Sequence, residues 1–325
     1  MVSNLPPFGS FSTLCYAVPS YPVCNLFFHQ LLGPRNSPQT IFPGQDTSNA
    51  VNLANLVSAA PVGINPECGI PRMHTGSSLG NIANIIACGL SIIATAMLIL
   101  ATGRRKAAVG RVELRTFLFT YLLTCIFQLL TTGSFLEQGS MALAIITSIH
   151  LGLVVMLFWQ LLWNALVATQ WVEDGTMSSL VPFTLFSICF FVAALYICLD
   201  TAFGFTLIWQ PNNPTDLANL ENITLFVFLD IWPPAAAFIF FVVMACIVMC
   251  ILREVKPVLM YLLTAVLFVL SQLAYFLLNR IICERTSAKI DGSFVATILE
   301  TLAVYALWGA WRSITEDSWE EPWYD

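Results

Sequence analysis

From Leu79 onward the chain alternates between long apolar runs and short polar breaks. Each run is long enough to cross ~30 Å of hydrocarbon at ~1.5 Å per residue. Seven such runs are counted, at 79–102, 117–136, 141–169, 179–202, 223–252, 258–279 and 293–311. They lack the strict period-two alternation of barrel strands, and lipid offers no partner for a bare N–H or C=O, so the pattern predicts helices. The fold class is therefore an all-α polytopic membrane protein, a seven-transmembrane-helix bundle. In the fifth run, Pro233-Pro234 predicts a kink.

Before the first run the pattern is different. Residues 1–78 hold ten of the seventeen prolines and no apolar stretch near ~20 residues, which predicts an extramembranous segment with little regular core. Met1 to Pro7 lack the cationic start and unbroken apolar stretch of a signal peptide, so translocation is expected to rest on the first span. The expected organisation is an N-terminal segment over 1–78, the bundle over 79–312 and an acidic tail over 313–325. Composition agrees: 58% of residues are hydrophobic and 10% charged, so the solvent for most of the chain must be lipid. A net charge of -6 argues against a phosphate-neutralising surface and removes nucleic acid as a partner.

Charge placement sets the expected orientation. Arg104, Arg105, Lys106, Arg111 and Arg115 follow the first run, Arg253 and Lys256 sit between the fifth and sixth, and Arg312 opens the tail. The other side carries Arg35, Arg72, Arg280, Arg285 and Lys289. The richer side belongs in the cytosol, which predicts a lumenal N-terminus and a cytosolic C-terminus. Cys15, Cys24, Cys68 and Cys283 then share the oxidising side, where they can form two disulfides by any of three pairings. The glycosylation acceptor Asn222-Ile223-Thr224 falls on the same side, close to the fifth run.

The apolar runs contain few residues able to do chemistry. His150, Gln128, Gln160, Asn164, Asp230, Gln272 and Glu300 lie within them, and Asp200 near a helix end. An intramembrane ionisable group is costly and marks a site unless it is paired in the packing. With three histidines in all and one in a span, the residues offer no ligand cluster for a metal. Gly76-Ser77-Ser78-Leu79-Gly80 matches a nucleophile-elbow pattern, but it follows no strand and has no His-acid pair to activate Ser78. Asp200 and Asp230 on consecutive spans lack the Gly-rich setting of a paired-carboxylate protease. The seventh run has no lysine for a retinal Schiff base. Asp/Glu-Arg-Tyr after the third run and Asn-Pro-x-x-Tyr in the seventh are absent, which leaves a receptor as topology only. No catalytic, metal or cofactor residues are assigned, and the chain is not expected to be an enzyme. An alternative from another class is a receptor or small-solute transporter with Asp230, Glu300 and His150 lining a cavity.

The spans also show packing equipment. Ala83, Ala87, Ser91 and Thr95 recur every four residues, as do Ala306 and Ala310, and small residues at that spacing permit close helix approach, either inside the bundle or against a partner protein. Trp159, Trp163, Trp171, Trp308 and Trp311 lie toward the expected cytosolic ends, as interfacial anchors do.

The short connections carry a resemblance. Gly63-Ile64-Asn65-Pro66-Glu67-Cys68, Val109-Gly110-Arg111-Val112-Glu113, Glu173-Asp174-Gly175-Thr176, Cys283-Glu284 with Asp291-Gly292, and Trp311 to Asp317 follow one another in register across residues 15–319. In this the chain resembles the fungal chitin synthase export chaperone family. The resemblance implies a multi-pass endoplasmic reticulum membrane protein that helps a polytopic chitin synthase client to fold, to stay unaggregated and to leave that compartment, with no cofactor. The tail Glu316 to Glu321 resembles acidic signals read by vesicle-coat proteins. The remaining partner is membrane lipid.

Overall fold

The computed structural model describes residues 7–32, 41–42, 46–47, 49–60, 62–64, 66–70, 80–105, 108–133, 135–206, 208 and 220–315. The pattern Gly76 to Gly80, apart from Gly80 itself, and the tail Glu316 to Glu321 lie outside the described residues. Within them the molecule is helical, and Ser10 with Glu221 forms an isolated antiparallel bridge.

Seven helices are long and apolar enough to cross a membrane: Ile82–Arg104, Arg111–Thr132, Met141–Ala168, Met177–Phe203, Ile223–Leu252, Val255–Leu277 and Gly292–Ile314. They are called the first to seventh spans. The second begins six residues before the apolar run does. Hydropathy rejects Arg111, Glu113 and Arg115, yet nothing in their backbone opposes a helix, and Glu113 is fully buried with its own partners. Short polar side chains start several spans by accepting a hydrogen bond from an otherwise orphaned N–H. Asn81 accepts from Asn84 N, Ser140 from Leu143 N, Asn222 from Leu225 N and Asp291 from Phe294 N.

The paired prolines do not end the fifth span. A π-helical turn over Val227–Ile231 precedes them, and the α-helix resumes at Trp232 with Pro233 and Pro234 in its first turn, where a missing N–H costs least. The third span is the central post, packing against the second, fourth and fifth. The seventh lies between the sixth and the first.

The N-terminal segment departs from its expected lack of core. Helices Ser12–Ala17, Val23–Leu32 and Ala50–Ala59 form within it. Val23–Leu32 buries residues on nearly every side, and Phe11, Phe27, Phe28, Leu26 and Leu31 share one hydrophobic cluster with Leu151, Val155, Ala194 and Ile197 of the third and fourth spans. Its apolar residues, with Asn25 and Gln30 among them, are buried against the spans and not against solvent. Prolines cut this segment into pieces too short for a span-length window to register, which is why the sequence pattern missed its core.

The tryptophans differ among themselves in burial. Trp171 is exposed, but Trp163, Trp308 and Trp311 are buried. Trp308 Nε1 donates to Thr102 Oγ1 at 2.9 Å and Trp311 Nε1 to the Val109 carbonyl at 2.9 Å. These two indoles tie the seventh span to the first span and to the connection before the second, since a buried indole N–H takes a partner.

Candidate functional site

Polar residues gather in four places: the end covered by the N-terminal segment, the opposite end, the seam of the first span, and an interior cavity. At the covered end Cys15 pairs with Cys24, nine residues away, and Cys68 with Cys283, separated by 215. The second bridge ties the N-terminal segment to the connection before the seventh span. Beside it, Glu67 and Glu284 flank Arg280 at 2.6 and 2.9 Å. The hydrogen bond to Glu284 and then the charge of Glu67 raise the Arg280 pKa above its ordinary value. Asn279 clamps the same region, donating to the Ala17 carbonyl at 2.7 Å and accepting from Gly292 N at 2.7 Å. Gly292 is needed for close approach, since a Cβ there would collide with the Ala274 carbonyl. Asp291 accepts from Ser293 Oγ at 2.6 Å and from Asn81 Nδ2 at 3.4 Å, which joins the starts of the first and seventh spans.

At the opposite end the remaining connection residues form a clasp. Gly110 N donates to Asp174 Oδ2 at 2.9 Å, while Gly175 N and Ser179 Oγ donate to Glu113 Oε1 at 3.1 and 2.8 Å. Gly110 has φ +68°, a left-handed conformation that glycine adopts without strain. Thr176 precedes the fourth span and donates to the Glu173 carbonyl at 2.7 Å. Arg111 is the first residue of the second span. The two connections, distant in sequence, thus hold each other's helix starts in place.

The small-residue stripe faces inward. Ala87, Ser91 and Thr95 are buried and Ala83 half-buried, and Ser91 Oγ lies 2.6 Å from Thr301 Oγ1 of the seventh span. A polar seam runs along this contact: Asn84 Nδ2 donates to Thr132 Oγ1 at 2.7 Å, Thr297 Oγ1 to Asn84 Oδ1 at 3.0 Å, and Gln128 Nε2 to Thr297 Oγ1 at 2.7 Å. Sequence reasoning passed over this seam. The spacing of Ser293, Thr297 and Thr301 at every fourth residue was the signal that could have revealed it.

Asp200 and Asn222 have local partners. Asp200 is buried and accepts from Thr206 N and Oγ1 at 2.7 and 2.8 Å, closing the end of the fourth span. Asn222 is buried, caps the fifth span and donates to Thr201 Oγ1 at 2.8 Å, so a glycan on its nitrogen would displace that bond. Asn164 donates to the Gln160 carbonyl at 2.7 Å.

Asp230, Glu300 and His150 come together on the wall of one cavity of about 530 Å³. Its walls come from the second, third, fifth, sixth and seventh spans, with Leu14, Tyr21 and Pro22 of the N-terminal segment contributing. Tyr21 donates to Asp230 Oδ1 at 3.1 Å, Gln272 to Glu300 Oε1 at 3.2 Å, and His150 Nδ1 lies 3.0 Å from Thr131 Oγ1. Burial, reinforced by the neighbouring Asp230 charge, pushes the Tyr21 phenol well above its ordinary pKa and keeps it a donor. Among the described residues, no three His, Cys, Asp or Glu side chains are placed to hold a metal.

Seven span-length apolar helices, closed at one end by a disulfide-tied segment and held at the other by a polar clasp, define a polytopic helical membrane protein. The chain belongs to the chitin synthase export chaperone family, whose model matches residues 7–323. It is 28% identical over 316 residues to the chitin synthase export chaperone of Chaetomium globosum, covering 96% of this chain and 84% of that protein. The protein of the same name from Aspergillus fumigatus is 28% identical over 281 residues, with 83% and 81% covered. That of Candida glabrata is 27% identical over 265 residues, with 80% and 81% covered. No solved structure matches the chain.

Proposed function

We propose that the protein is a non-catalytic chaperone of the endoplasmic reticulum membrane that folds a polytopic chitin synthase and licenses its export. The observation that carries this reading is the family match along nearly the whole chain, on a scaffold with seven span-length helices. The end carrying Arg104, Arg105, Arg111, Arg115, Arg253 and Lys256 is cytosolic in this reading, and the disulfide-tied end is lumenal. Residues 1–78 are then a lumenal cap, 79–312 the bundle and 313–325 a cytosolic tail that engages vesicle-coat proteins.

The client is engaged by helix packing. With Ala87, Ser91 and Thr95 occupied inside the bundle, the fourth and sixth spans, the least covered by neighbours, offer the faces. Their outward residues, among them Leu185, Ile188 and Val192 on one and Leu259, Leu262 and Val266 on the other, are exposed and apolar. Affinity purification from mild detergent tests the reading: a chitin synthase is expected to co-purify in stoichiometric amount. Recovery of the protein with no synthase, under conditions that keep other membrane complexes intact, would refute it.

A further inference from the structure

The cavity among the five spans is a formed site that packing through the outer faces of the fourth and sixth spans does not use. At about 530 Å³ it lies within the ~300–1,000 Å³ typical of small-molecule sites. Asp230 and Glu300 are each only half-buried although they sit among five helices; both lie on the cavity wall. Each carboxylate is oriented by one neutral donor, Tyr21 for Asp230 and Gln272 for Glu300. Asp230 Oδ2 has no hydrogen-bond partner.

The lining contains no lysine or arginine; His150 is its one basic side chain, with Nδ1 next to Thr131. Two carboxylates without a protein cation on a largely apolar wall favour a ligand that supplies positive charge and donors, because a poorly solvated unpaired charge is costly. The rest of the wall suits an apolar body: Phe158 and Phe268, with ring centroids 6.0 Å apart, line it, and aromatic faces also attract a cation. We propose that this cavity binds an amphiphilic amine, with its ammonium group on Asp230, Glu300 as the second acceptor, and its hydrocarbon along the aromatic wall. This inference does not rest on the chaperone reading.

The test uses the purified full-length protein in zwitterionic nanodiscs, titrated with hexadecylamine, hexadecanol and N-acetylhexadecylamine while thermal unfolding is followed. The expected result is saturable stabilisation by the amine, with the alcohol and amide at least tenfold weaker. Asp230→Asn should weaken the amine at least tenfold. Ala237→Leu, which fills the cavity without touching its charges, should do the same and serves if Asp230→Asn fails to fold. Equal stabilisation by all three amphiphiles, no saturable effect of the amine, or amine binding unchanged by Ala237→Leu would overturn the proposal. So would displacement of the amine by a lysine-bearing peptide matching a client span, which would assign the cavity to protein.

Discussion

Removing the long-range disulfide should destabilise the protein more than removing the short one, and the difference can be worked from loop size. In the chain-entropy description, closing a loop of n residues removes about 2.1 + 1.5R ln n cal/mol/K from the unfolded ensemble. For the sequence separation of 215 from Cys68 to Cys283 this is ~5 kcal/mol at 25 °C. For the separation of nine from Cys15 to Cys24 it is ~2.6 kcal/mol. The larger figure is an upper value, since spans that stay helical in the unfolded state do not sample a full random coil. Cys68→Ala, Cys283→Ala and their double variant should therefore lose the same stability within ~0.5 kcal/mol, because either change opens the one bridge. Cys15→Ala should cost less. Unfolding of the four variants in mixed detergent micelles measures this. A larger loss for Cys15→Ala, or additive losses for Cys68→Ala and Cys283→Ala, would refute the reasoning.

Glu113→Ala should cost ~2–4 kcal/mol by leaving Gly175 N and Ser179 Oγ without their carboxylate acceptor, and Glu113→Gln about half of that; detergent unfolding compares them. Gly292→Ala forces a methyl against the Ala274 carbonyl and Asn279, and should cost ~2–3 kcal/mol in the same measurement. Ala87→Leu with Ser91→Leu overpacks the contact with the seventh span, so cellular abundance should fall together with client export; normal abundance with a selective export defect would contradict the inward placement of that face.

Much of the fold was legible because lipid imposes a single rule: every backbone group must be satisfied within a helix, so length and hydropathy alone locate the spans. The misplaced start of the second span shows the limit of that rule. A hydropathy window cannot foresee that Glu113 will be buried against Gly175 and Ser179, some 62 and 66 residues away. The cap was illegible for a related reason, since Phe11, Phe27 and Phe28 share their cluster with residues of helices distant in sequence. Asp230, Glu300 and His150 were recognisable singly as expensive groups in lipid. Their meeting on one wall depends on how five spans are arranged, which no local pattern encodes.

The most direct test of the central claim follows a fluorescently tagged chitin synthase in cells depleted of this protein, with wild-type protein restored as control. The account predicts that the synthase is retained in the endoplasmic reticulum on depletion and reaches the cell surface on restoration. Undiminished arrival of active synthase at the surface without the protein would contradict it.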